Sequence, residues 1–159
     1  MRGMKWIWMA SELARRVRMQ MRFGALSRAP LKLSRLELHE DYAECEWFAR
    51  ANDQWDQGLP EEIQEQNRTC QTLHDAIMVR EMLFSTVPDI GSAKLNVYRH
   101  TAWEARELIM TGCVNREDEP PPRISSLVMR AKLYGFQFRL EDGALNSLDG
   151  NPDNSDFRS

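Results

Sequence analysis

Between Ile7 and Met21 the apolar positions Ile7, Ala10, Ala14, Val17 and Met21 recur at alternating steps of three and four, the spacing that lines side chains along one face of an α-helix. Ser11, Arg15, Arg18 and Arg22 form a polar stripe beside them. The pattern predicts a helix from about Trp6 to Arg22, ended by Gly24. Residues 16–23 also alternate strictly between polar and apolar, as a half-buried strand would, so helix and strand compete for this stretch.

Leu31, Leu33, Leu36 and Leu38, then Ala43, Cys45, Trp47 and Ala49, predict two strands joined at His39-Glu40-Asp41, with a bulge where the alternation slips near Ser34-Arg35. Asn52 to Gly58 reads as a polar loop. Pro60, Glu61 and Glu62 open a long helix carrying Ile63, Cys70, Leu73, Ala76, Ile77, Leu83, Phe84 and Val87 on its apolar face until Pro88. Ala93, Leu95 and Val97 begin a strand, and Leu108, Met110, Gly112 and Val114 a second, joined across His100 to Arg106. Thr101-Ala102-Trp103-Glu104 fits a capping box, which would place a short helical turn in that connection.

After Pro120, Pro121 and Pro122, a helix with Ile124, Leu127, Val128 and Ala131 on its buried stripe is expected, capped by Gly135. Phe136, Phe138 and Leu140 form a last strand ended by Asp142-Gly143. The expected fold is α+β, in the order α-β-β-α-β-β-α-β, with an antiparallel or mixed sheet of about five strands and helices packed on one face. Its organisation is a basic amphipathic helix over 1–24, a single α+β domain over 25–148 and a disordered acidic tail over 149–159. From the long helix to Leu140 the order of elements resembles small α-β-β-α-β modules such as the BON domain. That resemblance, which is one of element order without a glycine signature, implies binding of lipids or cell-envelope partners.

Composition narrows the class. A chain of 159 residues that is 42% hydrophobic, with 8 Gly and 7 Pro, can bury a core and is neither a repetitive fibre nor generally disordered. Cys45, Cys70 and Cys113 follow no metal-binding spacing and point to a reducing cytoplasm, each as a small buried hydrophobe. The apolar stretch Trp6 to Ala10 is cut by Glu12 and is too short for a signal peptide or a membrane span. Met4 and Met9 are each candidate translation starts, which would leave the first eight residues weakly structured or absent from the working protein. Asn67-Arg68-Thr69 matches a glycosylation tripeptide but falls inside the long predicted helix.

Charge changes the picture more. The net charge is −3, yet residues 1–36 carry +8, residues 37–75 carry −9 and the remainder −2. Either the two blocks neutralise each other on folding or one of them faces a partner. The candidate contact residues are Trp6, Trp8, Arg15, Arg18, Arg22, Arg28 and Lys32, which would meet a protein partner or phosphate groups. Met4, Met9, Met19 and Met21 cluster beside them, and methionine surfaces adapt to varied partners.

A nonenzymatic cytoplasmic interaction domain, an accessory subunit or adaptor, is the leading expectation, and nonspecific nucleic-acid binding by the basic segment is second. An interfacial membrane role is weakened by a small, half-alanine apolar face, and a homo-oligomer is compatible with the pattern. No motif implies a cofactor. Asp53 with Asp56, or Glu40 with Asp41, could meet a cation, but the calcium-loop pattern is missing. An enzyme without a recognisable motif would need His39, His74 or His100 brought against a cysteine.

Overall fold

The computed structural model describes residues 2–23, 31–50, 56–103 and 105–148, with residues 2–7 and 22–23 by backbone alone. Helix α1 spans Arg2–Phe23, followed by strands β1 (Lys32–Leu38) and β2 (Tyr42–Phe48). Helix α2 (Glu61–Thr86), strands β3 (Ser92–His100) and β4 (Arg106–Asn115), helix α3 (Leu127–Tyr134) and three short strands, β5 (Phe136–Gln137), β6 (Arg139–Glu141) and β7 (Ala144–Asn146), complete the chain. The fold is α+β, and the main sheet has five strands in the order β1-β2-β3-β4-β5. It is mixed because β2 and β3 run parallel while the other pairs are antiparallel. The long crossover through α2 makes the parallel pairing possible.

The period-2 pattern fixes which residues meet the helices. On one face Leu33, Leu36 and Leu38 of β1 lie across from Trp47, Cys45 and Ala43 of β2, and Trp47 lies beside Val97 of β3. Val97, Leu95 and Ala93 in turn pair with Met110, Gly112 and Val114. This face carries the core, closed by Leu73, Ala76, Leu83 and Phe84 of α2, Ala131 and Tyr134 of α3, and Val17 and Met21 of α1. The expected bulge is present between Leu33 and Arg35.

Residues 16–23 are helical. Val17 and Met21 are fully buried while Arg16, Arg18 and Gln20 are exposed, an asymmetry that a helical face satisfies. Among the described residues the helix begins at Arg2; Met1 lies outside them. The helix after the proline run begins later than the apolar stripe predicts, at Leu127. Ser126 caps it by accepting a hydrogen bond from the Met129 N–H at 3.3 Å, which leaves Ile124 in the preceding turn. The Thr101 region is a tight turn, with the Thr101 N–H donating to the Ala105 carbonyl at 2.7 Å; Glu104 lies outside the described residues.

The last strand differs most. After Phe136 pairs against Gly112, the chain leaves the main sheet, and Arg139–Glu141 folds back on Ala144–Asn146 as a separate hairpin. Asp142 and Gly143 both have positive φ, 52° and 81°, the conformation of a two-residue type I′ turn whose twist matches its flanking strands. The Asp-Gly pair is therefore the middle of a hairpin, not the end of a strand. The expected disordered tail over 149–159 lies outside the described residues.

Candidate interaction surfaces

Helix α1 turns its apolar face inward through Leu13, Val17 and Met21. On the opposite face Trp8, Glu12, Arg15 and Met19 recur at steps of four, three and four, so they form one stripe about 16 Å long at a rise of about 1.5 Å per residue. Trp8 is 77% exposed and Met19 50%, and Met9 and Arg16 are exposed on the flank. Glu12 bridges Arg15 at 2.7 Å and approaches Arg16 at 3.8 Å, so the one acid of the helix is shared by two of its arginines. Arg18 is exposed and makes no ion pair among the described residues.

The other expected contact residues divide. The side chains of Trp6 and Arg22 and the whole of Arg28 lie outside the described residues. Lys32 is not part of the α1 row: it stands on β1 opposite Phe48, with Nζ 5.4 Å from the Phe48 ring. Charge between the two blocks is exchanged by Arg35, which bridges Glu37 at 2.7 Å and Glu44 at 3.5 Å. That hydrogen bond holds the Glu37 carboxyl below its ordinary value. Arg15 and Arg16 instead pair within their own helix.

The sheet face away from the helices carries Lys32, Arg35 and Glu37 of β1, Glu44, Glu46 and Phe48 of β2, Lys94, Asn96, Tyr98 and His100 of β3, and Arg106 and Thr111 of β4. No helix among the described residues covers it. At its centre Thr111 Oγ1 donates to Asn96 Oδ1 at 2.6 Å, while Asn96 Nδ2 and the Tyr98 hydroxyl both donate to Glu46 Oε2 at 3.1 Å. Glu46 is buried beneath these neighbours. Toward one end, His100 stacks on Phe48 with ring centroids 4.1 Å apart and planes 4° apart, and the Arg106 guanidinium lies 4.5 Å from the centre of the Tyr98 ring.

At the β1–β2 hairpin end, side-chain ligand atoms of Glu37, His39 and Glu44 lie within 4.8 Å of one another. Arg35 already brings a cation to both carboxylates, so one guanidinium offsets one of their two charges. Asp53 lies outside the described residues.

A cavity of about 910 Å³ opens between α2, the β3–β4 turn and the β6–β7 hairpin. Its wall holds Arg50, Arg68 and Arg99, each beside an acid: Arg50 reaches Asp75 at 3.0 Å, Arg68 bonds Glu65 and Arg99 bonds Glu107. Glu141 and Asp142 add further negative charge. These pairings consume the guanidinium groups internally, and Arg99 also donates to the Leu145 carbonyl at 2.6 Å, tying the hairpin to β3.

The cysteines correct one expectation. Cys45 is buried and its thiol is pushed up to about 12, first by desolvation and then by the Glu46 charge. Cys70 on α2 and Cys113 on β4 are exposed rather than buried: Cys113 lies opposite Lys94 on the outer face of the sheet, and α2 turns Leu73, Ala76 and Ile77 to the core and the Cys70 position outward. Ile63 is exposed for the same reason. His39 stacks on Tyr42 and His100 on Phe48, while His74 is exposed on α2.

Sequence reasoning missed the buried polar residues of α2, namely Thr69, Thr72, Asp75 and Arg80. Their only signal is polar residues interleaved with the apolar ones on the inner face, beside an outer face that carries Asn67, Gln71, His74 and Glu81. Comparison of the chain with protein-family models, curated proteins and solved structures finds no match.

Proposed function

We propose that the protein is a nonenzymatic interaction domain that presents the outer stripe of α1 to a protein partner, as an adaptor or accessory subunit of a reducing, cytoplasmic compartment. The observation that carries this reading is the 77% exposure of Trp8 on a helix whose opposite face is held in the core by Val17 and Met21. An exposed tryptophan with a methionine three turns away and arginines between and beside them is a helix-in-groove arrangement. Tryptophan and arginine anchors of this kind dominate interface energetics.

The matching partner surface is a groove with apolar pockets about 16 Å apart and an acidic rim. Three free cysteines support the compartment, and no helix among the described residues is long and apolar enough to cross a membrane. Nonspecific phosphate binding by Arg15, Arg18 and Arg22 is the weaker reading, because Arg15 is engaged by Glu12.

The test leaves α1 in place, since Val17 and Met21 belong to the core and removing the helix would remove the fold. Affinity capture compares wild type with Trp8→Glu and Trp103→Glu, both at exposed tryptophans, with circular dichroism as a check on folding. The expected result is a partner retained by wild type and Trp103→Glu but lost by Trp8→Glu. Identical capture by all three contradicts the proposal.

A further inference from the structure

We infer that the sheet face left open among the described residues binds a single-stranded nucleic acid across β2, β3 and β4, independently of the α1 surface. Two stacked pairs stand side by side there. Phe48 carries His100, and Tyr98 carries the Arg106 guanidinium. In each pair the lower member is half-buried and the upper one exposed. His100 and Arg106 are register partners on adjacent strands, which places their Cα atoms about 5 Å apart. The face thus ends in two neighbouring planar groups, one an imidazole and one a guanidinium, and these are the groups on which unpaired bases stack.

Charge complementarity favours the same occupant. Lys32 stands beside the Phe48 ring on one flank and Arg106 on the other. From β1 to β4 is three inter-strand steps, about 14 Å, enough for the backbone of two successive nucleotides to cross between the two cations. Of the acids on this face, Glu37 and Glu44 share the single charge of Arg35, and Glu46 is buried beneath Asn96 and Tyr98, which donate to it, while Lys32, Lys94 and Arg106 are exposed. Glu107, next to Arg106 in sequence, is bonded to Arg99. A duplex keeps its bases stacked inside and offers this platform phosphates alone. An acidic peptide would use the cations but leave the planes without a partner.

Fluorescence anisotropy with a labelled 12-nucleotide oligo(U) or oligo(dT), a duplex of equal length and an oligoglutamate peptide as competitor tests this. Wild type should bind the single strand more tightly than the duplex, with affinity falling as salt rises. His100→Ala should weaken binding by about fivefold or more. Arg106→Lys, which keeps the charge and loses the plane, should weaken it as well, whereas Lys94→Ala at the other end of the face should have little effect. The inference is overturned by any of four results: no saturable oligonucleotide binding at low salt, equal affinity for the duplex, displacement by the peptide at equal charge, or loss of binding on Arg15→Ala with Arg18→Ala but not on His100→Ala.

Discussion

Arg80 is the residue on which most local structure converges. It is 1% exposed, yet its guanidinium donates to the carbonyls of Asn115, Asp118 and Arg116 at 2.7, 2.9 and 3.2 Å, pairs with Glu81, and lies over the rings of Tyr134 and Phe84. One side chain thereby joins α2, the end of β4 and α3. Arg80→Ala should cost about 3 kcal/mol or more in urea unfolding, because three carbonyls lose a charged donor inside the protein; a loss under about 1 kcal/mol would contradict this role. Asp75 behaves oppositely. Burial raises its carboxyl although Arg50 and Gln71 both favour the charged form, and burial lowers Arg50 as well, so desolvation outweighs their attraction. A native pKa above the unfolded value of about 3.9 means the folded state holds the proton longer, so this group's contribution to stability falls as pH rises through that window. The stability of wild type relative to Asp75→Asn should therefore decline as pH rises above about 4 in urea titrations. A difference that grows with pH would reverse the sign of the argument.

At the scale of elements, the end of α3 shows how closely turn chemistry and sheet packing are linked. Gly135 has φ of 110°, its N–H closes α3 on the Ala131 and Lys132 carbonyls, and a Cβ there would meet the Cys113 carbonyl oxygen at 2.8 Å. Gly135→Ala should thus lower stability by about 1–3 kcal/mol, whereas Gly91→Ala, facing open space, should stay within about 0.5 kcal/mol; equal effects in thermal denaturation would refute the distinction. The same region marks where sequence legibility ends. Strands β1 to β4 and their bulge were readable because one face is buried along their whole length, so alternation reports it directly. The break after Gln137 was not read, although Asp142-Gly143 is a strong hairpin signal, because Phe136, Phe138 and Leu140 alternate across it as if they were one strand. In α2 the apolar stripe located the helix but misassigned Ile63 and Cys70. Helical spacing cannot separate a core position from an exposed one when buried arginine and aspartate share the inner face.

The whole molecule has two sides with different chemistry. On the helical side α1 closes the core and leaves Trp8, Met19 and the exposed arginines outward; on the sheet side His100 and Arg106 are exposed above Phe48 and Tyr98, and no helix among the described residues covers them. The sequence announced the charge segregation, but it could not say that Lys32 and Arg15 belong to opposite layers, since that depends on α1 crossing over the apolar face of β1. The two proposed surfaces therefore lie on different layers, and the variants that test one leave the other unchanged. The most direct measurement of the central claim is site-specific photocrosslinking in cells, with benzoylphenylalanine placed at Trp8 and, as a control, at Trp103. The account predicts a discrete protein adduct from position 8 that is absent from position 103. Adducts of equal yield from both positions, or none from position 8 in a folded protein, would contradict it.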